Sequence, residues 1–221
     1  LEAIEDILKR GKRPIIVGGS GMYMSVLLDG IFDEPAKDDA IRQDLENQIE
    51  IQGTKALHEK LQALDKQAAA KIHFNDAKRI VRALEVVLST KKPISQLQQK
   101  RQGIWDQYPI KIFGLERPRE QMYQRAEERI EQMFKDGLVE EMKTVLKKKL
   151  SVTAQMLIGL PEISGFLNKA YGLDQAKYLM KLHTRHYIKR QMTWFRRDKR
   201  IEWIEIGESS SDIVRKILEN V

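Results

Sequence analysis

Gly18-Gly19-Ser20-Gly21 follows directly on Pro14-Ile15-Ile16-Val17 and precedes Met22-Tyr23. A short apolar run feeding a glycine turn and then a helix-forming stretch predicts a strand, a tight turn and a helix from about Met22 to Leu28. Ligands in open α/β sheets bind at the carboxyl edge of the strands. Glycines at such an edge let the backbone approach an anion closely, permit unusual φ/ψ and expose N–H groups that cradle phosphate. Ser20 adds a hydroxyl. The same four residues equally suit a turn with no ligand.

A second chemistry-bearing stretch is Asn75-Asp76-Ala77-Lys78-Arg79-Ile80-Val81-Arg82. Asn75-Asp76 is a helix-capping pair, so three cations fall in the first turns of a helix. Cations there oppose the macrodipole by a few tenths of a kcal/mol each, about what an anion bound at that end would offset. Glu85 is the internal alternative, as a partner for Arg82.

The third stretch is the longest. Residues 177–200 hold nine Lys or Arg and one acid, Asp198, leaving 30 basic and 31 acidic residues elsewhere in a chain of formal net charge +7. The basic excess is therefore local, which points to a polyanion-binding face. Lys177, Lys181, Arg185 and Lys189 recur every four residues and form one helical stripe, flanked by Arg190. Like charges at that spacing repel, and the absence of interleaved acids predicts an anionic partner; a solvated helix face is the plainer alternative. From His183 to Arg196 guanidiniums, hydroxyls and aromatics alternate, the mixture that phosphate binding and base stacking use. His183 and His186 stand three apart without Cys or carboxylate beside them, so no metal ligands are expected.

These residues need elements to hold them. Apolar Ile4, Ile7 and Leu8 predict a first helix that ends near Gly11. Residues 33–106 read as mainly helical. One helix runs from Asp38 or Asp39 to about Ile51, Gly53-Thr54 breaks it, and a second carries Leu57, Leu61 and Leu64. A helix from Ala77 to about Leu88 ends at Lys91-Lys92-Pro93. Strands are expected at Ile110–Leu115 and at Ile201–Ile206, where residues alternate. Two helices broken at Gly137 fill Arg119 to about Lys149, the basic helix spans about 174–196, and a last helix covers about 211–219. The outline is α/β with a large helical excursion, and three strands make a poor sheet on their own.

Composition narrows the classes. With 42% hydrophobic and 32% charged residues over 221 positions a packed core is expected. The lack of Cys excludes disulfide scaffolds, zinc–thiolate and iron–sulfur sites and thiol catalysis. No apolar run approaches the ~18–20 residues of a membrane span, and no secretory leader is visible at Leu1-Glu2-Ala3-Ile4. A cytoplasmic monomer without membrane contact is expected. The chain opens on Leu rather than Met, so its true start is expected to lie further upstream.

Together the motifs resemble those of the tRNA dimethylallyltransferase family, also called tRNA isopentenyltransferase. The family's P-hydrophobic-V-G-G-T-G-L-Y reads here Pro14-Ile15-Ile16-Val17-Gly18-Gly19-Ser20-Gly21-Met22-Tyr23. Its N-D-x-x-R-hydrophobic-x-R-A-L-E-V reads Asn75 to Val86. Its T-R-x-Y-A-K-R-Q-x-T-W-F-R reads Thr184 to Arg196, and Met122 to Met142 with Arg125, Arg129 and Gly137-Leu138 also looks like the family.

The resemblance implies a fold and a reaction. The fold would be α/β: a P-loop-kinase-like, nucleotide-binding parallel sheet core, incomplete for want of its first strands, with a mainly helical insertion. Residues 1–34 and 107–221 would form the core portion and 35–106 the insertion. The reaction would transfer a dimethylallyl group from dimethylallyl diphosphate to N6 of the adenosine 3′ of the anticodon, with Mg2+ assisting and the base extruded from its stack. Ser20 and Arg185 would be catalytic, and Gly18, Gly19, Ser20, Gly21 and Arg185 would hold the diphosphate. Ser20, Arg42, Lys78, Arg79, Ile80, Val81, Arg82, Lys181, Lys189, Arg190, Gln191 and Trp194 would meet the tRNA anticodon arm.

Two departures from the family pattern stand out. The sequence has no G-x-x-x-x-G-K-[ST] phosphate loop and no D-S-x-Q with its general-base Asp. The usual I-G-Y-K-E reads Ile158-Gly159-Leu160-Pro161-Glu162, which removes a tyrosine and a lysine. These 221 residues are therefore expected to be inactive alone. A non-catalytic RNA-binding module and another P-loop-type kinase are the competing readings.

Overall fold

The computed structural model describes residues 1–32, 37–207 and 210–220. Its contacts divide the chain into two compact units, Leu1–Ile110 and Lys111–Val221.

The first unit is helical: α1 (Glu2–Lys9), α2 (Gly21–Asp29), α3 (Asp39–Leu64), α4 (Lys66–Lys71), α5 (Ala77–Thr90) and α6 (Ile94–Gln98). Asp38 caps α3 by accepting the amides of Ala40 and Ile41 at 3.1 and 3.0 Å. Gly53, at φ 81 and ψ 161, kinks α3 where the sequence predicts a break; a side chain would resist that left-handed φ. Beyond the kink Leu57 and Leu61 join Leu45 against Ile80, Leu84 and Val86 of α5. Each such fully buried aliphatic side chain is worth about 1.5–3 kcal/mol, which makes the α3–α5 face the main source of stability here. Asp65 then ties three elements together. Its buried carboxylate accepts the amides of Ala68 and Ser95 at 3.0 and 2.8 Å and the Ser95 hydroxyl at 2.8 Å. Burial pushes that carboxyl up, but the Ser95 and Ala68 bonds outweigh it and hold it below the usual range.

The expected strand at Pro14–Val17 is absent. The segment is irregular, with Ile15 82% and Val17 91% exposed. Hydropathy registers that these side chains favour burial, but a strand also needs a neighbour to accept its backbone bonds. Among the described residues no strand runs beside it. Residues 27–30 instead meet the 102–105 segment. The amides of Ile104 and Trp105 donate to the Leu27 and Leu28 carbonyls at 3.0 Å each, satisfying the C-terminal end of α2. The backbones approach so closely that a Cβ on Gly30 would stand 2.4 Å from the Gln102 carbonyl carbon. This contact places residues 27–30 within the helical unit, whereas the sequence groups 1–34 with 107–221.

The second unit holds β1 (Ile112–Glu116), α7 (Arg119–Lys135), α8 (Leu138–Leu146), α9 (Val152–Gln155), α10 (Leu160–Leu167), α11 (Leu173–Phe195), β2 (Ile201–Glu205) and α12 (Ser210–Leu218). β1 and β2 pair in parallel, with Ile112 opposite Ile201 and Glu116 opposite Glu205. The Ile206 amide extends the ladder to the Glu116 carbonyl at 2.8 Å. The core of this unit gathers Ile130, Leu138, Ile163 and Met180 from α7, α8, α10 and α11. The fold is thus helix-rich α/β with a small parallel two-stranded sheet.

Candidate substrate and RNA-binding site

In the first unit Ser20 occupies the N-cap position of α2. Its backbone is extended at φ −90 and ψ 103, and its carbonyl accepts the Met24 amide at 3.1 Å. Its side chain makes no capping bond and is exposed, so the hydroxyl is left for another partner. Gly18, Gly19 and Gly21 are not among the glycines with positive φ, which lie at 11, 30, 53, 137 and 159. Positive φ is therefore not what these three glycines supply to the turn. A Cβ on Gly18 would stand 3.3 Å from Met24 Cε.

Arg42 and Arg82 converge on Glu85. Glu85 Oε2 accepts Arg42 Nη2 at 2.7 Å and lies 3.1 Å from Arg82 Nη1, while Oε1 accepts the Asp38 amide at 3.0 Å. The Glu85 side chain is 1% exposed. Its burial favours the neutral acid, yet Arg42, Arg82 and the Asp38 amide together hold its pKa below the ordinary value, so it is ionised at neutral pH. Lys78 is exposed and Arg79 pairs with the capping Asp76 at 2.7 Å. Ile80 and Val81 lie in the core, so their side chains pack the helix while the cations around them face outward.

In the second unit the stripe predicted on α11 meets acids that the sequence reading did not place there. Glu131 of α7 accepts Lys177 Nζ at 2.8 Å and Lys181 Nζ at 2.7 Å. Glu127, one turn earlier, holds Arg185 through Nε at 2.7 Å and through Nη2, and the guanidinium lies 5.5 Å from the Tyr123 ring centre. The two lysine bonds pull the Glu131 carboxyl down to about 2. Three of the four stripe cations thus find their anion on a neighbouring helix, and Lys181 and Arg185 can meet a ligand only through donors left over. Glu127 and Glu131 stand four residues apart, the spacing of the stripe itself; that match was the available signal.

Past Arg185 the helix opens to solvent. Lys189 and Arg190 are exposed, Arg190 lies 5.9 Å over Tyr187, Gln191 is half-buried and Trp194 is 48% exposed. On the other side of α11 a third missed residue, Glu162, is buried. Its Oε2 accepts the Gly159 amide at 2.7 Å, and Oε1 pairs with His183 Nδ1. Leu160, at the position of the family's tyrosine, is buried in the unit. No group of three or more His, Cys, Asp or Glu that could hold a metal occurs among the described residues. No helix among them is long and apolar enough to cross a membrane.

Exposed Lys189, Arg190 and Trp194, with Arg190 over Tyr187, are the mixture of cations and rings that polyanion binding uses. Comparison with known proteins makes this specific. The IPP transferase family model matches residues 1–198. The tRNA dimethylallyltransferase of Geobacter metallireducens is 43% identical over 98% of this chain and 71% of its own length, and that of Geobacter sulfurreducens is 42% identical over 91% and 66%. Among solved structures, the tRNA isopentenylpyrophosphate transferase of Bacillus halodurans aligns over 99% of this chain and 68% of its own, with 30% identity and a TM-score of 0.61. A eukaryotic dimethylallyltransferase acting on tRNA shares the fold at a TM-score of 0.72 and 24% identity, over 99% and 60%. The chain belongs to the IPP transferase family and spans 66–71% of the length of these bacterial relatives.

Proposed function

We propose that this protein transfers a dimethylallyl group from dimethylallyl diphosphate to N6 of the adenosine 3′ of the anticodon in tRNA. The observation that carries the reading is the family match over residues 1–198. The exposed Lys189, Arg190 and Trp194 supply phosphate contacts and a stacking face. The Ser20 hydroxyl contacts the reacting end of the prenyl donor or the base. Gly18, Gly19 and Gly21 let a diphosphate approach the backbone. Arg185 offers the guanidinium donors that Glu127 leaves over, which suit the charge developing on the leaving diphosphate. Arg42 and Lys78–Arg82 contact the anticodon arm by their cations. β1 and β2 belong to a P-loop-kinase-like sheet. Magnesium, when bound, would neutralise charge on the diphosphate. The protein works as a cytoplasmic monomer.

The test is transfer of labelled dimethylallyl from its diphosphate to unmodified tRNA, with the modified nucleoside identified by mass spectrometry. Residues 1–221 carry no phosphate-loop motif and no D-S-x-Q, so the assay has two arms, with and without a separately expressed P-loop half. Prenylated adenosine in either arm supports the reading. Tight tRNA binding with no prenylation in both arms replaces it with an RNA-binding module, and phosphorylation of a small molecule by ATP without tRNA replaces it with a kinase.

A further inference from the structure

We propose that the stacked rings of His73 and Phe74, just ahead of α5, are a platform for an unpaired RNA base. The proposal rests on the reading that the 78–82 stretch meets tRNA.

The two rings lie in the connection between α4 and α5, with centres 4.3 Å apart and planes inclined by 28°. Ile72, just before them, packs against the core of the first unit, whereas Phe74 stays outside it and is 45% exposed. One exposed phenylalanine alone would be ordinary surface. Here the His73 ring covers one face of Phe74 and leaves the opposite face to a ligand. The pair is also held in place from both sides. The Asn75 amide donates to His73 Nδ1 at 3.2 Å, and the Asp76 amide donates to the His73 carbonyl at 2.8 Å. Asp76 in turn caps α5 by accepting the Arg79 amide at 3.3 Å. Because Nδ1 accepts its bond, the ring carries its proton on Nε2, which is a donor. Lys71 before the rings and Lys78 after them are exposed and form no ion pair among the described residues, whereas Arg79 is taken by Asp76. A fixed π-face between two unpaired ammoniums suits a nucleotide: the ring stacks the base and the lysines meet the phosphates on either side. Rings already held in position give up little freedom on binding. A protein partner would ask for a wider apolar patch than one ring pair.

The experiment is equilibrium binding by the intact protein across a salt series, with melting followed on the same samples. The probes are unmodified tRNA and a blunt RNA duplex with no unpaired base. Phe74→Leu keeps an apolar side chain and loses the π-face. It is expected to weaken tRNA binding about tenfold at every salt concentration, with the salt slope unchanged, and to leave duplex binding as it was. Phe74→Trp is expected to bind tRNA at least as tightly as the wild type. Wild-type tRNA affinity in Phe74→Leu overturns the proposal. An equal loss on the duplex overturns it too, since the ring then only shapes the turn that carries the cations. If Phe74→Leu melts below the wild type, Phe74→Trp decides, and weaker tRNA binding by that variant overturns the proposal. Lys78→Ala and Arg79→Ala separate the two levels. Lys78→Ala is expected to flatten the salt slope by about one unit. If both variants bind tRNA as wild type with the same slope, the stretch does not meet RNA there and the underlying reading fails for it. If Lys78→Ala flattens the slope and Phe74→Leu binds as wild type, only the stacking platform falls.

Discussion

Both units of this chain bring a carboxylate to two cations, and they do it in opposite environments. In the first, Glu85 is buried to 1% exposure between Arg42 and Arg82. In the second, Glu131 is 36% exposed between Lys177 and Lys181. The buried anchor uses arginine, whose planar fork can satisfy a fixed carboxylate and still present donors elsewhere. The exposed one uses lysine, a point charge on a flexible stem. The difference teaches that a run of basic residues is not by itself a binding face. What matters is which cations are already occupied from within and which are left over: Lys78 in the first unit, Lys189 and Arg190 in the second.

The sharpest way to break this comparison is to remove each carboxylate. Glu85→Ala removes a buried carboxylate from between two partly buried guanidiniums and is expected to cost about 3–5 kcal/mol of stability. Glu131→Ala leaves two half-solvated lysines and should cost no more than about 1 kcal/mol. Chemical denaturation at neutral pH measures both. Equal losses would mean that burial does not set the worth of these pairs.

A somewhat smaller effect is expected on turnover. Arg185→Ala should raise the barrier to prenyl transfer by about 2–4 kcal/mol, by analogy with losing one preorganised charge-stabilising donor. Its stability should change little, because the Glu127 pair is exposed at the arginine side. A normal kcat removes Arg185 from the chemistry and leaves it as a partner of Glu127 and Tyr123 alone.

The occupied and leftover cations should also separate by salt dependence. Lys189→Ala should flatten the slope of log affinity for tRNA against log salt by about one unit, the mark of a lost phosphate contact. Lys181→Ala, whose ammonium already sits on Glu131, should change the slope by well under half as much. Equal slopes in the two variants would show that the Glu131 pair opens when RNA binds.

Much of this was legible beforehand, and the reasons are local. The Asn75-Asp76 cap and the Lys91-Lys92-Pro93 stop bracket α5, and Gly53 marks the kink in α3, because such signals act within a turn or two of chain. The alternation at 201–206 and the period of α11 read correctly for the same reason. What failed was whatever depends on a distant neighbour. Ile15-Ile16-Val17 has strand composition but no partner strand among the described residues. The acids that answer the α11 stripe lie 46 and 58 residues away in sequence, on α7. Helices α4 and α6, at 6 and 5 residues, are too short to show a period. At the candidate site the motifs located the cations, while their partners Glu127, Glu131 and the oxygen-sharing of Glu85 emerged only once helices were packed.

The smallest effect is the most specific to the exposed anchor. Glu131 has its carboxyl drawn down to about 2 in the folded protein, against 4.5 for the ordinary group. A depressed carboxyl stabilises the fold fully above its unfolded value and loses that contribution as the pH falls from about 4.5 through about 2, because the unfolded chain takes up the proton first. Glu131→Gln cannot titrate, so its stability should fall less steeply than that of the wild type over this window. The gap between the two, no more than about 1 kcal/mol at neutral pH after solvent screening, should close near pH 2. Denaturant unfolding at pH 7, 4 and 2.5 follows it. A gap that stays constant down to pH 2.5 would show that Lys177 and Lys181 do not hold the Glu131 carboxylate in solution, and the contrast between the two anchors would then rest on Glu85 alone.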